Sequence, residues 1–314
     1  MTAAPPVRRE RTISGASAVL LPFLPDGGVD RAGFEAHLQR TLDAGLVPAI
    51  NMDTGFGPVL STTERTEFLR AAQVSGAPFI AGAHVTDQPG DTADLDAYAT
   101  AMVEIAAHGG TPIVFPSHGL SAVDDDALVA AHQTLATHVD EYLGFELGPM
   151  FHPAGRIFST DVFTAVLEIP QVTGLKHSSL RRDLEWERLS VRDRVRPDFR
   201  LMTGNDLAID LVVHGSDYLL GLSTFDPDAF ARRDAAWAAG DDATFWALND
   251  VLQYLGRLAF RPPVPGYRHD AAMYLALRGL VAHDGTHPAS PERPAADRAL
   301  LAQVAAELDD LLDR

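Results

Sequence analysis

A single lysine, Lys176, stands among 24 arginines in this chain of 314 residues. It closes a short apolar run, Ile169 to Leu175, and is followed by small polar residues as far as Ser179. The chain uses arginine wherever a surface cation suffices, so the surviving lysine marks a position where arginine fails. Arginine stays protonated at any working pH, whereas a desolvated lysine can shed its proton and attack a carbonyl carbon. A lysine retained by chance belongs on a polar helix face, not at the end of a buried strand. The chemistry of this stretch is therefore imine formation.

Other reactive side chains follow apolar runs in the same way. The loop Asp53-Thr54-Gly55-Phe56-Gly57 offers backbone N–H groups and the Thr54 hydroxyl to a carboxylate. Asp53 adds an acceptor, and His118 and His152 are acid/base groups suited to physiological pH. Phe151, Asn205 and Asp206 are placed to contact substrate. On a strand with Lys176 pointing inward, Val172, Gly174 and Ser178 share its face, while Leu175 and His177 turn toward helices. Gly174 leaves space for a ligand, and His177 is structural. The pair His283 and His287 has loose metal-like spacing but reads as a loop before a proline, and no HxH or HExxH cluster is present. No metal and no organic cofactor is expected.

These positions need a scaffold, and the chain repeats one unit: a β-rich run, a polar loop, an amphipathic helix, a glycine. Strands are expected over 17–23, 47–51, 79–84, 112–116, 144–151, the run carrying Lys176, 199–204 and 217–223. Asp30 caps a helix that Gly45 closes, Ser61 to Glu64 forms a capping box, and further helices lie over 95–107, 125–139 and 160–167. Eight such units over 12–240 predict a closed (β/α)8 TIM barrel, with the reactive residues on the rim formed by strand C-terminal ends. A doubly wound sheet is the alternative, but no GxGxxG follows the first strand. Residues 241–314 show helical periodicity only, with stripes at 245–252, 272–281 and 300–312, and are expected to form a C-terminal three-helix extension. Pro262-Pro263 and the stretch from His287 to Pro294 link its helices.

Composition narrows the partners. A net charge of -18 and a pI near 4.9 argue against nucleic acid and against anionic membrane surfaces. With no cysteine there is no thiolate nucleophile and no Cys-ligated metal. Met1 to Arg11 lacks the apolar core of a signal peptide, and no apolar run approaches the ~18 residues of a membrane span. A cytoplasmic enzyme acting on a small molecule is expected.

Four stretches give the chain its likeness to a known family. These are Leu20 to Asp30, Asp53 to Gly57 with Leu60 and Glu64, Gly174-Leu175-Lys176, and Thr203 to Asp206. With the trailing helices, they resemble the dihydrodipicolinate synthase / N-acetylneuraminate lyase superfamily over nearly the whole length. The resemblance implies a class I aldolase-type mechanism. Lys176 attacks the ketone of a 2-keto acid, loses water to give an imine, and uses that imine as an electron sink while Thr54 and Gly55 hold the carboxylate. It also implies a homodimer or homotetramer.

Three departures qualify the match. Asp53 stands where the family has a first threonine, and Phe56 where it often has Glu. Met150-Phe151-His152-Pro153 occupies the segment of the fifth-strand tyrosine that relays protons. Asp53 and His152 are the candidate replacements. The substrate expected is a 2-keto acid of pyruvate type or a keto-sugar acid, since Asn205 and Asp206 can hydrogen-bond sugar hydroxyls. A keto-deoxy sugar acid dehydratase using the same imine is the runner-up, and a catalytically silent keto-acid-binding barrel the alternative from another class.

Overall fold

The computed structural model describes residues 4–313, so Met1, Thr2 and Ala3 of the Met1–Arg11 segment, and Arg314, lie outside the described residues. Eight parallel strands close into a barrel in the order of the chain. They are β1 (Gly15–Ala18), β2 (Val47–Ile50), β3 (Phe79–Ala83), β4 (Gly110–Val114), β5 (Tyr142–Leu147), β6 (Val172–Ser178), β7 (Arg200–Thr203) and β8 (Asp217–Leu220). The helices are α1 (Arg31–Asp43), α2 (Thr62–Val74), α3 (Leu95–Ala107), α4 (His118–Ala122), α5 (Asp125–Leu135), α6 (Thr160–Leu167), α7 (Arg182–Val195) and α8 (Pro227–Ala238). The C-terminal extension adds α9 (Asp242–Ala259), α10 (Tyr267–Leu277) and α11 (Asp297–Leu312). The barrel and the three-helix extension are those read from the sequence.

Local chemistry explains most boundaries. Asp30 accepts from the Gly33 N–H at the start of α1, and Gly45, at φ +81°, ends it in the left-handed region. Ser61 and Glu64 make the reciprocal capping box of α2.

Several strands stop or shift earlier than their apolar runs. β1 covers 15–18, not 17–23, because the Leu20 N–H donates to the Thr224 hydroxyl and Phe23 bridges Val29 and Gly285 instead. β4 covers 110–114, and Ser117 then caps the short α4, which the sequence reading passed over. β5 covers 142–147, not 144–151, since Gly148-Pro149 breaks the strand and the Phe151 N–H folds back onto the Gly148 carbonyl. A 3-10 turn over Ile209–His214 takes the place of a helix after β7.

Contacts divide the chain into two compact units, neither of which coincides with a 12–240 / 241–314 division. One comprises 60–205 and 211–219 with the segment ending at Val7; the other comprises Arg8–Val59, Asp206–Asp210 and Leu220–Arg314. In the first, β6 lies in register between β5 and β7, pairing Lys176 with Phe145 on one side and Met202 on the other. In the second, β1 pairs with β2, and Trp237 of α8 packs on Phe245 of α9. Among the described residues, no helix is long and apolar enough to cross a membrane.

Candidate active site

In the unit that contains β6, strand alternation sorts the residues around Lys176 into two faces. His177 faces the helices, fully buried. Its ring nitrogens meet Glu146 Oε2 at 2.8 Å and the Ser179 hydroxyl at 2.7 Å, so the ring is structural as the alternation implied. Arg188 of α7 grips the same Glu146 through Nη2 to Oε1 at 2.8 Å and Nε to Oε2 at 3.1 Å. Burial alone raises the Glu146 carboxyl, but His177 and Arg188 outweigh it and hold the group down at about 2. This network ties the strand of Lys176 to β5 and α7.

The other face is open chemistry. Lys176 Nζ sits 4.6 Å from the centroid of the Phe145 ring, the register partner on β5. Phe115 meets Phe145 edge-on at 5.0 Å, and His84 lies 4.1 Å from Phe115, giving a row of rings along the ends of β3, β4 and β5. The fifth-strand residue facing the lysine is thus Phe145, not a member of 150–153. Met150 to Pro153 lie in the loop that follows the strand.

Gly204, just after β7, makes the space beside the amine. A methyl group there would lie 2.6 Å from Lys176 Cε and collide with Ser178 Oγ. The Ser178 hydroxyl is buried and has no hydrogen-bond partner among the described residues. A buried hydroxyl left unmatched costs about 1–3 kcal/mol, which a ligand oxygen would recover.

The remaining candidates of this unit fall in two places. His118 and His152 come together, with ring centroids 6.2 Å apart. His152 Nδ1 accepts from the Ala154 N–H, which leaves the proton of the neutral ring on Nε2. The His118 N–H donates to Asp87. Phe151 lies in the turn that precedes His152, and the Asn205 N–H donates to the Thr203 hydroxyl.

In the other unit, the loop after β2 is held in strained backbone. Asn51 and Phe56 both take positive φ, +51° and +58°, and Phe56 is buried. A bulky residue in that region costs of order 1–3 kcal/mol and points to a functional constraint. The Phe56 N–H donates to the Asp53 carbonyl and the Gly57 N–H to that of Met52. The N–H groups of Thr54 and Gly55 make no hydrogen bond among the described residues. Gly55 approaches the backbone closely, where an added methyl would meet the Val19 carbonyl at 3.1 Å.

Sequence reasoning missed what closes over this loop. Tyr267, the first residue of α10, places its hydroxyl 2.8 Å from Thr54 Oγ1 and 3.2 Å from Asp53 Oδ2. Burial first, then the Asp53 charge, pushes the Tyr267 phenol well above its usual range, so it stays protonated. Phe260 stacks on Tyr267 at 4.3 Å. Arg268 donates to the Asp53 carbonyl at 3.1 Å and lies 4.4 Å over the Phe56 ring, which fills the place expected for Glu. His287 packs on Phe23 and Phe56. Asp206 accepts from the Leu222 N–H at 2.8 Å, a backbone-capping role. The only sequence signal for Tyr267 is its position after the Pro-rich link 262–266, which reads as a plain connector.

A closed (β/α)8 barrel with a three-helix extension is the fold that the chain shares with the solved dihydrodipicolinate synthases it matches. The model of the family described as protein of unknown function (DUF993) matches residues 36–310, and the chain belongs to that family. A curated 4-hydroxy-tetrahydrodipicolinate synthase from Kosmotoga olearia is 27% identical over 235 residues, covering 72% of this chain and 76% of the relative. Two solved structures share the fold. Dihydrodipicolinate synthase from Thermotoga maritima matches with a TM-score of 0.80 at 17% identity, covering 95% of this chain and 99% of that one. YagE, a prophage protein of the dihydrodipicolinic acid synthase family from E. coli K12 in complex with pyruvate, matches at 0.79 and 17% identity, covering 95% and 98%.

Proposed function

We propose that the protein is a Schiff-base-forming lyase or aldolase acting on a 2-keto acid of pyruvate type or a keto-sugar acid, with Lys176 as the nucleophile. The observation that carries this reading is the pairing, on one face of β6, of the lone lysine with an unpartnered buried hydroxyl at Ser178, in space cleared by Gly204. The unprotonated amine adds to C2 of the keto acid, and loss of the C2 hydroxyl as water leaves the imine. The Ser178 hydroxyl is suited to hydrogen-bond the substrate oxygen during that addition. The aromatic floor of Phe145 and Phe115 limits water around the imine, which otherwise hydrolyses.

The carboxylate is assigned to the free N–H groups of Thr54 and Gly55, as the family likeness implies, with the Thr54 hydroxyl already engaged by Tyr267. His152 and His118 are proposed as the acid/base pair on the substrate's distal end, and Phe151, Asn205 and Asp206 as its walls. Neither metal nor organic cofactor enters a step. Pyruvate bound in YagE and the synthase name of the Kosmotoga olearia relative support the substrate class. By the same likeness the working form is a cytoplasmic homodimer or homotetramer.

Borohydride trapping with a panel of 2-keto acids tests the reading. One reduced adduct per chain, mapped to Lys176 and absent from Lys176→Arg, is the expected result. Trapping by no keto acid would sink it and put the silent keto-acid-binding barrel first. If trapping is seen, release of water without carbon–carbon cleavage would select the dehydratase.

A further inference from the structure

One helix holds both neighbours of Lys176 from behind. On β5, Phe145 lies against the amine, with Nζ 4.6 Å from its ring centroid, while the next residue, Glu146, turns outward and is gripped by Arg188 of α7. The end of β7 repeats the arrangement. Gly204 lies against the lysine, where an added methyl would meet Cε at 2.6 Å, while the preceding residue, Thr203, donates its hydroxyl proton to Glu185 Oε2 at 2.8 Å. Glu185 and Arg188 are about one turn apart on the same helix. We propose that Glu185 is a positioning residue for imine formation: through the Thr203 hydroxyl it fixes the Gly204–Asn205 turn against Lys176. This role rests on the imine reading above, and all of its residues lie in the unit that contains β6.

The donor count sets the direction. A hydroxyl carries one proton, and Thr203 Oγ1 already accepts from the Asn205 N–H at 3.2 Å, so its own proton goes to Glu185. Both side chains are buried. A carboxyl group keeps an acceptor oxygen even when it is protonated, so the bond survives the titration of Glu185. Held at its proton, the hydroxyl keeps its lone pairs turned toward the Asn205 N–H. The Gly204 N–H is tied separately, donating to the His177 carbonyl at 2.8 Å as a rung between β7 and β6. The turn beside the lysine therefore has two anchors: a backbone rung to the strand of Lys176, and a side-chain line that ends on α7.

Imine formation is the step that feels this turn. Nζ adds to C2 of the keto acid, the C2 oxygen takes up the amine proton, and the resulting hydroxyl leaves as water with a second proton from nitrogen. Addition needs the nitrogen about 3–3.5 Å from the carbon with an open approach, and a misplacement of about 1 Å costs roughly 100-fold. The Phe145 ring bounds the amine on one side and the Gly204 backbone on the other. Released from Glu185, the turn shifts into the space beside Cε, and the amine meets the keto acid in attacking geometry less often. Glu185 contributes no reacting atom, so any side chain that restores the acceptor restores the rate.

The experiment separates the hydrogen bond from the packing around it. Wild type, Glu185→Leu, Glu185→Gln, Thr203→Val and Thr203→Ser are each mixed with the keto acid that traps on Lys176, pyruvate being tried first. Borohydride added at timed intervals stops the reaction, and the adduct is counted by mass. In parallel, hydrogen exchange of the Asn205 N–H is followed by NMR in the ligand-free proteins. Leucine and valine remove the acceptor and the hydroxyl at nearly constant volume, whereas glutamine and serine keep them. The expected result is imine formation about tenfold slower in Glu185→Leu and Thr203→Val, the rate equivalent of one lost hydrogen bond, with wild-type rates in Glu185→Gln and Thr203→Ser. Asn205 exchange should quicken in the two slow variants alone. Combining Glu185→Leu with Thr203→Val should slow the reaction no further, because the two side chains share one bond. A wild-type rate in Glu185→Leu overturns the role. Equal slowing in Thr203→Val and Thr203→Ser also overturns it, assigning the effect to packing, and so does unchanged Asn205 exchange in a slow variant. If the wild type traps no keto acid, the imine reading fails first and the role with it, an outcome visible before any variant is compared.

Discussion

At the scale of single residues, the space next to the amine is the most sensitive quantity. A methyl at Gly204 meets Lys176 Cε at 2.6 Å and Ser178 Oγ closer still. Neither neighbour can retreat far, since Lys176 lies on the Phe145 ring and Ser178 is buried. Gly204→Ala is therefore expected to abolish borohydride trapping while costing about 1–3 kcal/mol of stability by overpacking, read from a denaturant melt. Ser178→Ala removes an unmatched hydroxyl from the protein alone. It should leave stability unchanged or slightly raised and still slow imine formation about tenfold, which rapid-quench trapping measures. The place of Lys176 near the end of a buried strand was legible without any structure, because its rarity drew attention to the apolar run that becomes β6. Phe145 was not, because Gly148-Pro149 ends β5 sooner than the apolar run suggests, and register, not residue type, decides what faces the lysine.

At the scale of elements, β6 presents different residues on alternate sides. Lys176 lies over the Phe145 ring on the face proposed for substrate, while His177 bolts the strand to Glu146 and, through it, to Arg188 of α7. Arg188→Met would leave the Glu146 charge with a weaker match, at an expected cost of about 3–5 kcal/mol, readable as a fall in denaturation midpoint. The Glu146 carboxyl is held below its ordinary value, so its stabilisation is present above about pH 4.5 and fades as pH falls toward 2.

Glu185, also on α7, behaves in the opposite way. Burial raises it to about 7 against the weaker pulls of His177 and of the Thr203 and Ser216 hydroxyls. The folded state keeps this proton longer than the unfolded chain does, so stability is full below pH 4.5, declines between 4.5 and 7 and then levels off. The span corresponds to about 3 kcal/mol at most. Glu185→Gln should erase this slope and melt a few degrees higher than wild type at pH 8, while matching it at pH 5. The outward face of β6 was foreseen from its period of two. The charges on α7 that meet it were not, because their partners are remote in the chain.

At the scale of the whole molecule, the repeat of strand, loop and helix made the barrel legible, and the helical periodicity of 241–314 made the extension legible. What the chain order hid is that the extension closes on the opening segments. Tyr274 donates to Asp226 at 2.8 Å, Gly285 bridges Phe23, and Tyr267 meets Thr54. A chain ended at residue 240 is expected to lose hydrogen-exchange protection in Arg8–Val59, beyond the loss of the three helices themselves; unchanged protection there would mark the extension as separable.

The bond between Thr54 and Tyr267 spans 213 positions. During synthesis at about 5–20 residues per second, the loop after β2 waits roughly 10–40 s for its closing residue to be made. Through that interval the nascent chain carries its strained turn without the groups that steady it, so the ribosome-bound protein depends on its last quarter before its first quarter can settle. Shortened translation products should accordingly be recognised as unfinished by chaperones and proteases, whatever the state of the barrel strands in between.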